Sequence, residues 1–283
     1  MARPALSAAR GLDIIDLLAT SPARSLTLSD IVRASGINVA SCHAVLNVLV
    51  ERGYLSRDAA TKAYALGPAI YGAGQAALDA QPLLAQATAA ARVLFDELRI
   101  PVSLTAAVGR EIVGVVSLND QSGRRPLLRA GERRERIPPI GAPFVAWSGE
   151  EAIAEWLAAS PDRSGEAIAR LRRGVDTIRD RGFEVLLRSS PGPASASPAA
   201  SELLALAGQT VHLGPNMALP ERINPVARYD VTMIAAPVFD RNGTGVYSLC
   251  LGPFPELLPG ARVLELADRL LKACVEVMHC ARA

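Results

Sequence analysis

Four residues, Ala34-Ser35-Gly36-Ile37, separate two short segments that each carry an apolar stripe at helical spacing. A connection this short forces the two helices against each other. The first stripe is Leu28, Ile31 and Val32, introduced by Thr27-Leu28-Ser29-Asp30, a threonine cap with an acidic residue three positions on. Gly36 stops it. The second stripe, Cys42, Val45, Leu46 and Leu49, repeats at i, i+3, i+4 and i+7, with Asn38 placed to cap it and Gly53 to close it. Upstream, Leu12, Ile15, Leu18 and Ala19 give residues 8–19 the same period, ended by Ser21-Pro22. Downstream, residues 54–57 and 63–66 read as short extended pieces joined by the polar turn Asp58-Ala59-Ala60-Thr61-Lys62. Helix, tight helix pair, then small hairpin is the order of a winged helix-turn-helix, which is predicted for residues 1–68. The same order also fits a three-helix packing module that touches no nucleic acid.

Beyond Gly67-Pro68 an Ala- and Leu-rich segment, 69–99, reads as a linker helix interrupted at Pro82 and able to carry dimer contacts. The period then changes to that of strands. Residues 102–108 and 111–118 flank a Gly109-Arg110 turn, and residues 124–130 are a third strand candidate. Residues 138–143 are too rich in Pro and Gly for regular structure, while 144–156 and 164–181 return to helix. A second hairpin, 229–239 with 244–251, turns about Asp240-Arg241-Asn242-Gly243, and 259–282 is an amphipathic helix. Residues 189–198 hold only Ser, Pro, Gly and Ala and read as a flexible loop, followed by a short helix at 201–207 and an irregular stretch, 209–228. Mixed strands bracketed by helices predict an α+β sensor-like domain over residues 100–283.

Charge narrows the function classes. The chain has 283 residues, half of them hydrophobic, with 30 basic and 28 acidic side chains and a mean hydropathy of +0.22. That excludes disorder and excludes nucleic-acid binding through bulk charge, but not a small reader attached to a neutral domain. The first 78 residues hold seven basic residues (Arg3, Arg10, Arg24, Arg33, Arg52, Arg57, Lys62) against five acidic ones (Asp13, Asp16, Asp30, Glu51, Asp58). Lys62 and Lys272 are the sole lysines, a composition bias that lowers the weight of any single arginine. The N-terminal stretch has charges spaced through it and lacks the apolar run of a secretory signal, and no stretch is apolar enough to span a bilayer. Four cysteines make no disulfide framework, so a cytoplasmic setting without membrane partners is expected. Cys42 sits on the inward stripe and reads as core rather than redox sensor.

An enzyme is not expected. His43, His212 and His279 lie far apart, and HxxxH, CxxC and GxSxG spacings are missing. No catalytic residue, metal site or cofactor is therefore assigned. Glu132-Arg133-Arg134-Glu135-Arg136 reads as a solvated turn.

Arg10-Gly11-Leu12-Asp13-Ile14-Ile15, Leu28-Ser29-Asp30-Ile31, Gly36-Ile37, Ser41-Cys42-His43 and Leu49-Val50-Glu51-Arg52-Gly53-Tyr54-Leu55 together resemble the isocitrate-lyase-regulator (IclR) family of bacterial transcription factors. Tyr64-Ala65-Leu66-Gly67 is similar to the end of the family's wing. Ile234-Ala235-Ala236-Pro237-Val238-Phe239-Asp240 and Gly252-Pro253 resemble its effector-binding hairpin, and Arg181-Gly182-Phe183 the end of the helix before it. The resemblance implies a winged-helix reader joined to a GAF-like domain that binds a small molecule, assembled as a homodimer or tetramer on a double-stranded DNA operator. Val39-Ala40-Ser41 and Ala44 stand where the family usually has Lys-Ser-Thr and an Arg, so two basic contacts are replaced. Leu249 and Leu251 align with two serines often found on the last inner strand, and residues 188–228 exceed the family's usual connection.

Candidate DNA contacts are Asn38, Val39, Ser41, His43, Ala44 and Asn47 on the third helix, Ser29 at the start of the second, and Arg10, Arg52, Arg57 and Lys62 at the phosphates. Candidate effector residues are Leu128, Ala142, Phe144, Met233, Leu249 and Leu251, with Asn119 and Asp120 for a polar end of the ligand. With leucines in place of serines, the pocket is expected between the sheet and residues 138–147 and is expected to favour an apolar or aromatic effector. Two alternatives stay open at this point: the same residues simply filling a core, and a ligand-sensing or scaffold protein of this fold with weak or lost DNA binding.

Overall fold

The computed structural model describes residues 5–21, 25–119, 127–188 and 217–281. Asp120, part of the strand expected at 124–130, the 189–198 loop and the 201–207 helix lie outside the described residues. The chain divides into two compact units, one of residues 1–82 with 130–132, the other of residues 83–129 and 133–283.

The first unit holds α1 (Leu6–Thr20), α2 (Leu28–Ser35), α3 (Val39–Glu51), β1 (Leu55–Arg57), β2 (Tyr64–Leu66) and α4 (Pro68–Ala80). Thr27 and Asp30 form a reciprocal capping box at the start of α2: the Asp30 N–H donates to Thr27 Oγ1 at 3.3 Å and the Thr27 N–H to Asp30 Oδ2 at 3.1 Å. Gly36 ends α2 in the left-handed region (φ 68°), where a Cβ is unfavourable. Asn38 Oδ1 then accepts from the Ser41 N–H at 2.9 Å, opening α3 directly. Ile14, Leu18, Ile31, Ile37, Cys42, Leu46, Leu55 and Tyr64 close the core. One expectation changes here. Leu12 is 63 % exposed and Ile14 is fully buried, so the inward stripe of α1 runs through Ile14 and Leu18. The hairpin β1–β2 pairs Leu55 with Leu66 and Arg57 with Tyr64.

The segment expected as one linker forms two helices divided between the units. α4 belongs to the first and buries none of its residues, whereas α5 (Pro82–Leu98) sets Ala87, Ala91 and Leu94 into the core of the second.

That second unit is built on a seven-stranded antiparallel sheet in the order β5-β4-β3-β10-β9-β6-β7. Its strands are β3 (Val102–Val108), β4 (Glu111–Leu118), β5 (Arg133–Glu135), β6 (Glu184–Arg188), β7 (Met217–Ala218), β9 (Val231–Phe239) and β10 (Gly245–Leu251); β8 (Arg228–Tyr229) pairs separately with β11 (Leu258–Pro259). α9 (Gly260–Cys280) and α5 cover one face, meeting Val102, Leu104, Val185, Ile234, Ala236, Leu249 and Leu251. α6 (Ala142–Val145), α7 (Glu150–Ala158) and α8 (Gly165–Arg181) form a further cluster around Ala142, Ile153, Trp156, Val175 and Ile178. Residues 127–130 form no strand; the edge strand is instead β5, inside the charged stretch expected as a turn, because Arg133 and Glu135 pair with Val113 and Glu111 of β4. The single helix expected at 144–156 is broken between α6 and α7. β6 and β7, absent from the sequence reading, extend the sheet past β9.

Gly67 ends the wing, donating its N–H to the Tyr54 carbonyl at 2.7 Å, and a Cβ there would lie 2.2 Å from the Gly53 carbonyl oxygen. Gly72, inside α4, has open space around it. Gly67→Ala is therefore expected to destabilise the first unit by about 2 kcal/mol or more, while Gly72→Ala stabilises it by about 0.5–1 kcal/mol. Denaturant unfolding of the two variants checks the opposite signs.

Candidate nucleic-acid interface and ligand pocket

On α3 the sequence buries one side and leaves the other to solvent. Asn38, Val39, Ala40, His43, Ala44 and Asn47 are exposed, Ser41 is half-buried, and Cys42 and Leu46 are fully buried beneath them. Asn47 Nδ2 lies 3.3 Å from His43 Nδ1, so the two polar groups present as a pair one helical turn apart. Val39 and Val48 are more than half exposed, which gives this face an apolar component suited to thymine methyl groups. Val48 was not singled out from the sequence; its place one residue past Asn47 on the outward face was the available signal.

The candidate phosphate contacts surround this helix in the chain. Arg10 is half-buried on α1, Ser29 is exposed at the start of α2, and Arg52 is exposed just past α3. The Arg57 guanidinium stands 5.4 Å from the centroid of the Tyr64 ring. At the wing tip, Asp58 Oδ1 accepts from the Ala60 N–H at 3.0 Å and from the Thr61 hydroxyl at 2.8 Å. The Thr61 contacts hold its carboxyl below the ordinary range. Lys62 adopts a positive φ of 59° and donates from Nζ to the Ala59 carbonyl at 2.6 Å, a contact it must exchange to reach a phosphate.

In the second unit a partly open cavity lies between the sheet and residues 140–144. The turn over it is pinned by Trp156, whose indole N–H donates to the Ile140 carbonyl at 2.9 Å. Leu128, Phe144 and Met233 line it as the sequence reading placed them. Ala142 turns instead into the α6–α8 cluster, and Asn119 is exposed past β4 and does not line the cavity. Asp120 lies outside the described residues.

Leu249 and Leu251 require a correction. Both are fully buried on the opposite face, against α5 and α9. Alternation along β10 sends Ser248 and Cys250 into the cavity in their place. Across the sheet, Cys250 pairs with Ser103 on one side and Ala235 on the other, and Ala235 pairs with Glu184. The cavity wall therefore carries the row Ser103, Cys250, Ala235, Glu184, with Thr105 and Ser248 alongside. The wall expected to lack hydroxyls has three.

Glu184 is the residue that sequence reasoning missed. It is 0 % exposed, and neither carboxyl oxygen has a hydrogen-bond partner among the described residues. Burial pushes it up to about 8, opposed by the positive charge of Arg181. Arg181 donates from Nε to the Phe183 carbonyl at 2.6 Å and from Nη1 to the Pro220 carbonyl at 3.1 Å, while its buried Nη2 has no partner among the described residues. Burial also drives the Cys250 thiol up to about 12, so it is no nucleophile at neutral pH.

Glu184 binds a proton more tightly folded than unfolded. Its contribution is complete below the ordinary glutamate range near 4.5 and is lost as pH rises toward about 8. Glu184→Gln is therefore expected to flatten a decline in stability between about pH 5 and 8, measured as denaturant midpoints at fixed ionic strength.

Three findings place this architecture among known proteins. Residues 7–59 match the IclR helix-turn-helix domain. No curated protein matches the sequence significantly. Among solved structures, an IclR transcriptional regulator from Alicyclobacillus acidocaldarius superposes with a TM-score of 0.70 at 18 % identity, over 99 % of this chain and all of the other. An IclR homologue from Microbacterium hydrocarbonoxydans, solved with 4-hydroxybenzoate, gives 0.64 at 17 % identity over 97 % and 98 % of the two chains. HmgR of Pseudomonas aeruginosa gives 0.62 at 24 % identity over 96 % and 97 %. The chain thus has the IclR-type architecture, an IclR helix-turn-helix domain followed by an α/β domain with a curled sheet.

Proposed function

We propose that this protein is a DNA-binding transcriptional regulator whose operator affinity is set by a small effector in the cavity of its second unit. The observation that carries this reading is the outward face of α3: a capped helix braced by a buried stripe, presenting Asn38, His43 and Asn47 among small apolar side chains within the matched IclR domain. Such a face meets base edges, while Arg10, Arg52, Arg57 and Lys62 hold the register at the phosphates. The reader comprises residues 1–68, α4 connects it to the sensor, and α5 serves as sensor core as well as the second half of the linker.

A homodimer or tetramer completes the reading. α4 buries nothing in the single chain, and Tyr71 on it is 78 % exposed, so a second subunit would cover this helix. An effector changes operator binding by favouring one relative geometry of the paired readers, which requires that it bind that geometry more tightly. The Microbacterium homologue bound to 4-hydroxybenzoate supports a ligand with a small aromatic or apolar body in this fold. Leu128, Phe144 and Met233 supply the surface for it.

With no lysine or arginine on the exposed face of α3, affinity should rest on the four phosphate contacts of each subunit. Gel shifts on DNA flanking the coding region are expected to weaken steeply with salt, with log affinity falling by roughly 0.9 per phosphate contact for each decade. Arg57→Ala should reduce that slope by about one contact, and His43→Ala or Asn47→Ala should cost roughly 1–3 kcal/mol and relax sequence preference. No binding at low salt, with His43→Ala indistinguishable from the parent, would leave a ligand-sensing protein of the same fold.

A further inference from the structure

The cavity wall is unbalanced in its hydrogen-bonding capacity. Ser248 Oγ–H donates to the Ala236 carbonyl at 3.1 Å, and Thr105 Oγ1–H to the Ser248 carbonyl at 3.4 Å. Both hydroxyls have thus spent their proton on backbone and turn lone pairs to the space. Ser103 Oγ and the two oxygens of Glu184 have no partner among the described residues. The Cys250 thiol, 3.7 Å from Ser248 Oγ, stays protonated. What remains unsatisfied along this wall is one hydroxyl and an ionisable carboxyl, which offers acceptors alone once it loses its proton.

The arrangement of the row matters as much as its chemistry. Ala235 stands between Cys250 and Glu184, so no large side chain covers the carboxyl from the neighbouring strand. Ser103 lies three strand spacings from Glu184, roughly 14 Å in a flat sheet. The space between is lined further by Leu127, Leu128 and Phe144 from outside the sheet and by Ile112 and Met233 of β4 and β9. The lining's cation, Arg134, stands on β5, at the far end of the sheet order from β6. Glu184 therefore faces the cavity with Arg181 of α8 and Cys250 of β10 as its charged or titratable neighbours, and neither hydrogen-bonds it. A buried carboxyl left open in this way costs stability unless a ligand completes it.

Resting on the effector-pocket reading above, we propose that the cavity takes a small organic cation, a primary amine on a short apolar or aromatic body. Its ammonium donates to Glu184 beside Ala235, and its body runs over Cys250 toward Ser103, against Leu128, Phe144 and Met233. An ammonium brings donors and a positive charge to the Glu184 end of the wall, far in the sheet order from Arg134. Where Glu184 is ionised, a carboxylate in the same place would meet a like charge. Binding the cation requires an ionised Glu184, so below about pH 8 it displaces one proton to solvent.

Isothermal titration of the full-length chain with 2-phenylethylamine, 2-phenylethanol and phenylacetate tests this. The amine is expected to bind at least tenfold more tightly than the other two at pH 8. Its affinity should fall by close to tenfold per unit from about pH 7.5 to 6, and its preference over the alcohol should vanish in Glu184→Gln. Glu184→Asp should keep the preference, weakened, and thermal melts verify that both variants are folded. Equal binding of amine and alcohol overturns the proposal, as does amine binding unchanged in Glu184→Gln, or no heat from the amine at millimolar concentration. Tighter binding of phenylacetate as pH falls overturns it too, while leaving an effector pocket in place. The regulator reading falls separately, by loss of operator binding in gel shifts.

Discussion

The alternation of side chains along β9 and β10 sets everything that the second unit does. Ile234, Ala236, Leu249 and Leu251 enter the core under α5 and α9, and Met233, Ala235, Ser248 and Cys250 therefore have no choice but the cavity. Burying a single leucine or isoleucine is worth about 1.5–3 kcal/mol, so a one-residue slip that turned these four outward would be strongly disfavoured. Register then propagates sideways. Once Ala235 faces the cavity, its partner Glu184 on β6 faces it as well. A carboxyl reaches a dry wall because the core on the other face dictates the phase of the sheet.

The two units differ in where their buried polar groups stay open: the first leaves the Tyr64 hydroxyl without a partner, the second leaves two groups on a cavity wall. In the reader, Thr27 with Asp30, Asn38 with Ser41, and Asp58 with the wing turn close local hydrogen bonds, leaving a rigid scaffold for α3. In the sensor, the polar groups of Ser103 and Glu184 are buried and left open. Native proteins leave few such groups, and those that persist mark places where stability is given up for a task. Two such groups on one cavity wall are what the proposed effector would meet.

Much of the reader was legible because its helices are short, one-faced and punctuated. Thr27, Gly36 and Asn38 announce their own roles, and the stripe Cys42, Val45, Leu46, Leu49 leaves one assignment for the outward face of α3. Leu12 misled because the first helix carries apolar residues on more than one side. The sensor was harder to read for a physical reason. β9 and β10 are buried on both faces, so the sequence around Ser248 and Cys250 lacks the polar alternation that reveals phase, and the leucines were assigned to the wrong side. β6 is a run of five residues with its lone acid at the start, a pattern too short to give the phase of the strand. Only pairing with β9 shows Glu184 pointing inward. The edge strand β5 was hidden by its charges, which an edge strand tolerates well.

The proposed regulation requires coupling between a carboxyl in the cavity and the outward face of α3. Operator affinity measured by fluorescence anisotropy at pH 7.5, with and without saturating 2-phenylethylamine, tests that link for the parent chain and Glu184→Gln. A shift of at least fivefold is expected in the parent and none in the variant. An equal shift in both proteins, or none in a parent shown to bind the amine, would contradict it.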